Sequence, residues 1–360
     1  MLWALRLSRA AVVVSLLLLA LCARGDADIP APGNHGITKY WPAARAYVTN
    51  FSPFAYDGRI TALTPDRAGG VWFGAGSTAE RIERDGRMHD YAVSDSWLWA
   101  VSGFSYDPAG RLWFSLGQSG RIGTVDASGA VHTQIVVPRR DFPNLRTIAF
   151  DKRGSLWFED TGRDSIGVRT RNGVFRERPL PAGGTPWAMT VCNGRAWVVS
   201  SAEYGRWITL YKVAGLLDRF QPIRQLPNGW PSLACDAKGN VWYASAVYQG
   251  KSRIDIIDVR GDLRERELPL WNARVYGAGD GSIWVAGLNQ EYSSRRGQLV
   301  IARVGDNARL VAPRMLPWRV NFDYSLAVTD PRTAWINLAF PHSVMRMRFV
   351  DFRLPRSTGR

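Results

Sequence analysis

The sequence predicts an all-β fold, a seven-bladed β-propeller of four-stranded blades closed by an N-terminal strand, and three observations predict it. A Trp-centred strand recurs seven times: Val71-Trp72-Phe73, Leu112-Trp113-Phe114, Leu156-Trp157-Phe158, Ala196-Trp197-Val198, Val241-Trp242-Tyr243, Ile283-Trp284-Val285 and Ala334-Trp335-Ile336. Successive copies lie about 40 to 50 residues apart, the spacing of a propeller blade. Most copies follow a short strand and a tight turn with Asp and Gly at hairpin positions, as in Phe104-Ser-Tyr-Asp107-Pro-Ala-Gly110 and Ile148-Ala-Phe-Asp151-Lys-Arg-Gly154. Beyond the N-terminal segment no window keeps a helical period, so strands are the elements that fit.

Taken in order, residues 1–25 read as a secretory signal: Arg6 and Arg9, then the apolar run Ala10 to Ala23, then small residues at Ala23 and Gly25. The run is too short to span a bilayer comfortably, so cleavage near Asp26, a secreted or periplasmic chain and no membrane span afterwards are expected. Cys22 follows Leu21 where a lipoprotein signal needs a small residue, which leaves lipid anchoring as the lesser alternative. Residues 26–47 form an N-terminal segment in which Ile37 to Trp41 reads as a strand without blade partners of its own. It is expected to pair with the strand around Met345 to Phe349 and close the ring, since an open propeller leaves two sheet edges exposed. The blades occupy residues 48–354 and a short tail 355–360 follows.

The net charge is +15, and only five of the 46 basic residues are lysines. The arginines are spread over every repeat with no polybasic block or recognition motif, so a nucleic-acid partner is not expected. Cys192 and Cys235 fall in equivalent strands of consecutive repeats. An oxidising compartment would permit a bridge, but neighbouring inner strands are not hydrogen-bonded partners, and the reading favours two buried thiols.

The pieces Gly120-Arg-Ile-Gly-Thr-Val-Asp-Ala-Ser-Gly129, Leu156-Trp-Phe-Glu-Asp160 and Arg178-Pro-Leu-Pro-Ala-Gly-Gly-Thr-Pro-Trp187 resemble repeats of the streptogramin lyase (virginiamycin B lyase) family over about residues 36 to 354. The resemblance implies a seven-bladed propeller that opens cyclic depsipeptides by elimination, with a metal ion, histidines at the start of strand A and glutamates just after the Trp-Phe pair of strand B. Such a reaction needs a base for the proton α to a carbonyl and a cation for the enolate. At the corresponding strand A positions this chain carries Thr61, Ser102, Arg146, Trp187, Pro231, Arg274 and Tyr324. At the strand B positions it carries Ala75, Leu116, Asp160, Ser200, Ser245, Gly287 and Leu338. No histidine and one carboxylate remain, so the family's lyase chemistry is not expected; Asp160 and Tyr324 are the residual catalytic candidates.

The four histidines, His35, His89, His132 and His342, fall outside those positions. Asp160 is expected to pair with Arg146, which would depress its pKa and make it a poor base. No metal site or cofactor is predicted, and Mg or Ca enters only under the rival reading of a metal-dependent lyase or lactonase-type hydrolase. Related lactonase propellers use scattered Glu, Asn and Asp, and Glu159, Asp160, Asn144, Asn228, Asn272, Asn321 and Asp323 keep that reading open.

Connections from strand D to the next strand A gather on one face, and they are rich in Trp and Arg. The predicted ligand set there is Trp99, Arg146, Trp187, Trp230, Arg274, Tyr276, Trp318 and Tyr324. Aromatic faces with guanidinium groups suit a small anionic, aromatic or peptidic ligand, or a protein partner, though the same rings would serve equally to plug the channel. A monomer is expected.

Overall fold

The computed structural model describes residues 38–41, 45–51, 60–93, 100–137, 143–202, 207–227, 229–247, 251–290, 297–320, 324–338 and 343–350. Seven antiparallel sheets form a ring of seven blades, as the Trp periodicity predicts. In chain order the blades occupy 60–92, 101–135, 145–179, 185–227, 229–267, 271–320 and 324–349. Strands A to D follow one another outward in each of the first six, while blade 7 takes its outer strand from the start of the chain. The expected signal peptide and C-terminal tail lie outside the described residues.

Seven apolar clusters fill the seven seams between blades. Each repeat tryptophan stands on strand B, where it wedges a large ring into a seam. Trp157, Trp284 and Trp335 are fully buried and Trp113 is half-buried. In blades 2, 3 and 5 the indole N–H is given a partner by an aspartate of the A-to-B turn. Trp113 donates to Asp107 at 3.0 Å, Trp157 to Asp151 at 3.4 Å and Trp242 to Asp236 at 2.8 Å. The other oxygen of each aspartate accepts a backbone N–H of the same turn, from Arg111, Ser155 and Asn240. One carboxylate therefore satisfies both the turn and the wedge, which is why an Asp stands six residues before these tryptophans.

Ring closure differs from expectation in its residues. The strand that pairs with Ser343–Phe349 is β2 (Ala46–Asn50), with Ala46 opposite Phe349 and Asn50 opposite Met345. The segment expected to do this, β1 (Thr38–Trp41), pairs instead with β2, so blade 7 has five strands with β1 at its outer edge. β1 and β2 are two arms of one hairpin, and both carry aromatic and β-branched residues. The inner arm alternates buried Ala46 and Val48 with exposed Tyr47, the pattern a paired strand needs.

Cys192 and Cys235 are joined in a disulfide, contrary to the thiol expectation. They end the inner strands of blades 4 and 5, and inner strands converge around the channel closely enough to bring these Cα atoms to 5.6 Å, within bridging range.

Candidate functional site

The start of strand A and the exit of strand B share one face of the ring. On that face five inner strands, in blades 1, 2, 3, 4 and 6, break register just after they begin. Such bulges turn side chains out of the regular alternation and are frequent beside active sites. They set the site here. In blade 3 the break falls between Leu145 and Ile148 and leaves Arg146 exposed, its backbone held by the Ser115 hydroxyl of blade 2, which donates to Arg146 O at 2.7 Å. In blade 4 it falls between Pro186 and Ala188 and leaves Trp187 exposed at 39 %. Arg146 and Trp187 thus occupy equivalent, solvent-facing positions in adjacent blades.

The bulge also overturns the expected Arg146–Asp160 pair. Leu145, not Arg146, stands opposite Asp160. Asp160 is fully buried and accepts from the backbone N–H groups of Asn144 at 2.8 Å and Gly162 at 3.0 Å, with Arg163 Nε at 3.9 Å. Its pKa is raised, not depressed: burial outweighs the Asn144 hydrogen bond, and Glu177 adds to the rise. Asp160 therefore ties the D-to-A connection to the B-to-C turn. The charge of Arg146 acts instead on Glu159, whose carboxylate accepts from Thr147 N at 3.2 Å and whose pKa is raised by complete burial.

Across the ring Arg274 and Tyr324 meet at the seam of blades 6 and 7. The Arg274 guanidinium lies 5.4 Å from the Tyr324 ring centroid and donates to Tyr324 O at 2.9 Å. The Tyr324 side chain is itself buried, and its hydroxyl donates to Asn272 O at 2.6 Å and lies 3.0 Å from Ala286 O. Burial raises the pKa of both Tyr324 and the neighbouring Tyr276. Asn272, in a left-handed conformation at φ 50°, supplies the accepting carbonyl at the bulge, a role that no sequence signal marks. Trp187 and Trp230 lie within inner strands and Trp318 in an outer strand, where connections were expected. Trp99 lies outside the described residues, as do the side chains of Trp230 and Trp318.

The family-type metal site was tested against the donors present. Among the described residues no three His, Cys, Asp or Glu side chains converge as ligands. Asp160 is held by backbone N–H groups, and Arg146 brings positive charge where a histidine ligand would stand. The described residues do not fit a divalent cation at that place. His89 and His132 lie in outer strands against Glu83 at 3.2 Å and Asp126 at 2.7 Å, and His35 and His342 fall outside the described residues.

Comparison with solved structures shows the same architecture. Virginiamycin B lyase from Staphylococcus aureus superposes with a TM-score of 0.63 at 17% identity, covering 84% of this chain and 99% of that one. A streptogramin B lyase gives 0.53 at 19% identity, covering 74% and 94%. YCF48 bound to a D1 peptide gives 0.57 at 13% identity, covering 90% and 100%. At such identities the likeness is one of fold. No curated protein sequence matches the chain. The virginiamycin B lyase family profile matches residues 39–294, more than half of the sequence, and the chain belongs to that family.

Proposed function

We propose that this chain is an extracytoplasmic propeller that binds a small anionic or peptidic ligand, or a protein partner, on the face where strand A begins, without the lyase chemistry of its family. The reading rests on Arg146 and Trp187, a cation and an indole that bulges at equivalent positions of adjacent blades turn outward. That pair suits a carboxylate next to an aromatic or peptide plane. The disulfide supports an oxidising compartment, since structural disulfides are rare in the cytosol. A YCF48 propeller is described as bound to a D1 peptide, and virginiamycin B lyase in an inactive form as bound to quinupristin.

The test uses N-acetylphenylalanine as probe and quinupristin as substrate. The probe should bind the pure protein, and Arg146→Ala or Trp187→Ala should weaken it about tenfold, the loss of one charge-assisted contact. Binding that both variants leave unchanged would count against the site. Quinupristin should stay intact.

A second reading, a metal-dependent lyase or lactonase-type hydrolase, is favoured by the two buried carboxyls with raised pKa, Glu159 within the field of Arg146 and Asp160 beside Arg163, because perturbed carboxyls gather at catalytic sites. Stoichiometric Mg or Ca in the purified protein, together with ring opening, would establish it over the first.

A further inference from the structure

The opposite face, made by the A-to-B turns, carries a second site outside the one proposed above. Three of its seams are closed by the turn residues themselves. Between blades 1 and 2, Arg67 in the turn Asp66-Arg67-Ala68-Gly69 lies over the Tyr106 ring at 4.4 Å. Between blades 4 and 5 the disulfide and the Asn193 amide, donating to Gly239 O at 2.9 Å, fill the gap. Between blades 5 and 6, Ala237 N donates to Gly281 O at 3.0 Å.

The seam of blades 2 and 3 lacks such a plug. The turn there is Asp107-Pro108-Ala109-Gly110, and Pro108 takes the place of Arg67 with a side chain too short to cover Phe150, the counterpart of Tyr106. What remains is an open cleft of about 380 Å³. Its floor is aromatic, with Trp113 and Phe150 half-buried and their ring centroids 6.0 Å apart. Its walls are cationic, formed by Arg111, Lys152, Arg153, Arg169 and Arg171. The one lining carboxylate, Asp107, is already engaged by Arg111 Nε at 2.8 Å and by the Trp113 indole. Lys152, Arg153 and Arg171 have no carboxylate partner among the described residues.

We infer that this cleft is a binding site for a small planar anion, an aromatic or similarly flat group bearing phosphate or carboxylate. The volume falls in the range of small-ligand pockets. Unpaired guanidinium and ammonium groups supply charge-assisted contacts, and the exposed ring faces supply stacking. An apolar ligand would leave the cations unpaired, and a compact anion would leave the floor bare.

Calorimetry with phenyl phosphate and with inorganic phosphate tests this. Phenyl phosphate should bind at one site more tightly than inorganic phosphate. The double variant Lys152→Ala with Arg171→Ala should weaken it about tenfold, the effect of losing about 1.4 kcal/mol of contact. Pro108→Arg should abolish binding by restoring the plug that blade 1 carries, in a turn that blade 1 shows to accept arginine. Thermal unfolding should be unchanged in both variants, and Arg146→Ala with Trp187→Ala should leave phenyl phosphate binding unaffected, which separates this site from the other face. Failure of phenyl phosphate to bind, equal affinity for the two probes, or binding that neither variant alters would overturn the inference.

Discussion

Two seams hold this ring by different means. Where the ends of the chain meet, between blades 7 and 1, the seam is closed without a covalent bond: Trp335 and Phe51 pack with centroids 5.3 Å apart, Phe73 is buried among them, and the Asn337 amide donates to Ile60 O at 3.1 Å. Between blades 4 and 5 the rings are fewer, and the Cys192–Cys235 bridge crosses a seam that also buries Tyr243 and Asp255, with the partly exposed Arg224 guanidinium 3.5 Å from Asp255. The closing seam has apolar volume and needs no link. Both seams desolvate polar groups, Glu80 and Asn337 in the closing seam and Asp255 in the other, but the other has fewer rings to offset that cost, and the bridge lies there.

Breaking the closing seam should have the largest effect. Trp335 is fully buried, so Trp335→Ala should cost about 3 to 5 kcal/mol in chemical denaturation, the range for deleting a large core ring. A variant of native stability would mean that the blades are held together elsewhere.

Removing the bridge should come next. Cys192→Ala with Cys235→Ala should cost about 2 to 4 kcal/mol, because the link shortens the unfolded ensemble of a loop spanning a whole blade. Reductant should reproduce the loss in the parent protein and have no further effect on the variant. Stability unmoved by reduction would remove the contrast between the two seams.

The smallest effect sharpens the comparison through pH. Glu80 stands directly opposite Phe73 on the face toward the closing seam, and burial, helped by Asp90, pushes its pKa up to about 8. Because the folded value lies above the unfolded one, near 4.5, the folded state holds its proton more tightly. Stability is full below about pH 4.5, falls as pH rises, and reaches its lower level once pH passes about 8. Glu80→Gln should flatten that decline in denaturation curves measured across the interval, and a decline of the same slope in the variant would assign it to another group.

The fold was legible because a propeller asks the same thing of every blade. Each needs a wedge and a tight turn, and Asp107, Asp151 and Asp236 mark both functions at fixed distance from their tryptophans. The site was less legible, and for local reasons. Counting back from Trp157 puts Arg146 across from Asp160, but the bulge moves the register by one residue and a one-residue slip sends a side chain to the other face. No spacing in the chain announces such a break. The disulfide was hidden for a different reason: its span depends on how tightly inner strands crowd the channel, a property of the closed ring and not of either strand.

The exchange of strands at blade 7 also bears on timing. β2 is synthesised before blade 1, and its partner Ser343–Phe349 after blade 6. Blades 1 to 6 can each assemble from neighbouring sequence, but the outer strand of blade 7 waits until all six have been made. Contacts between such distant segments are slow to form. The latch of the ring is therefore set only once blade 7 has been made, so a product cut short before Ser343 would keep most of its blades and lack a closed ring.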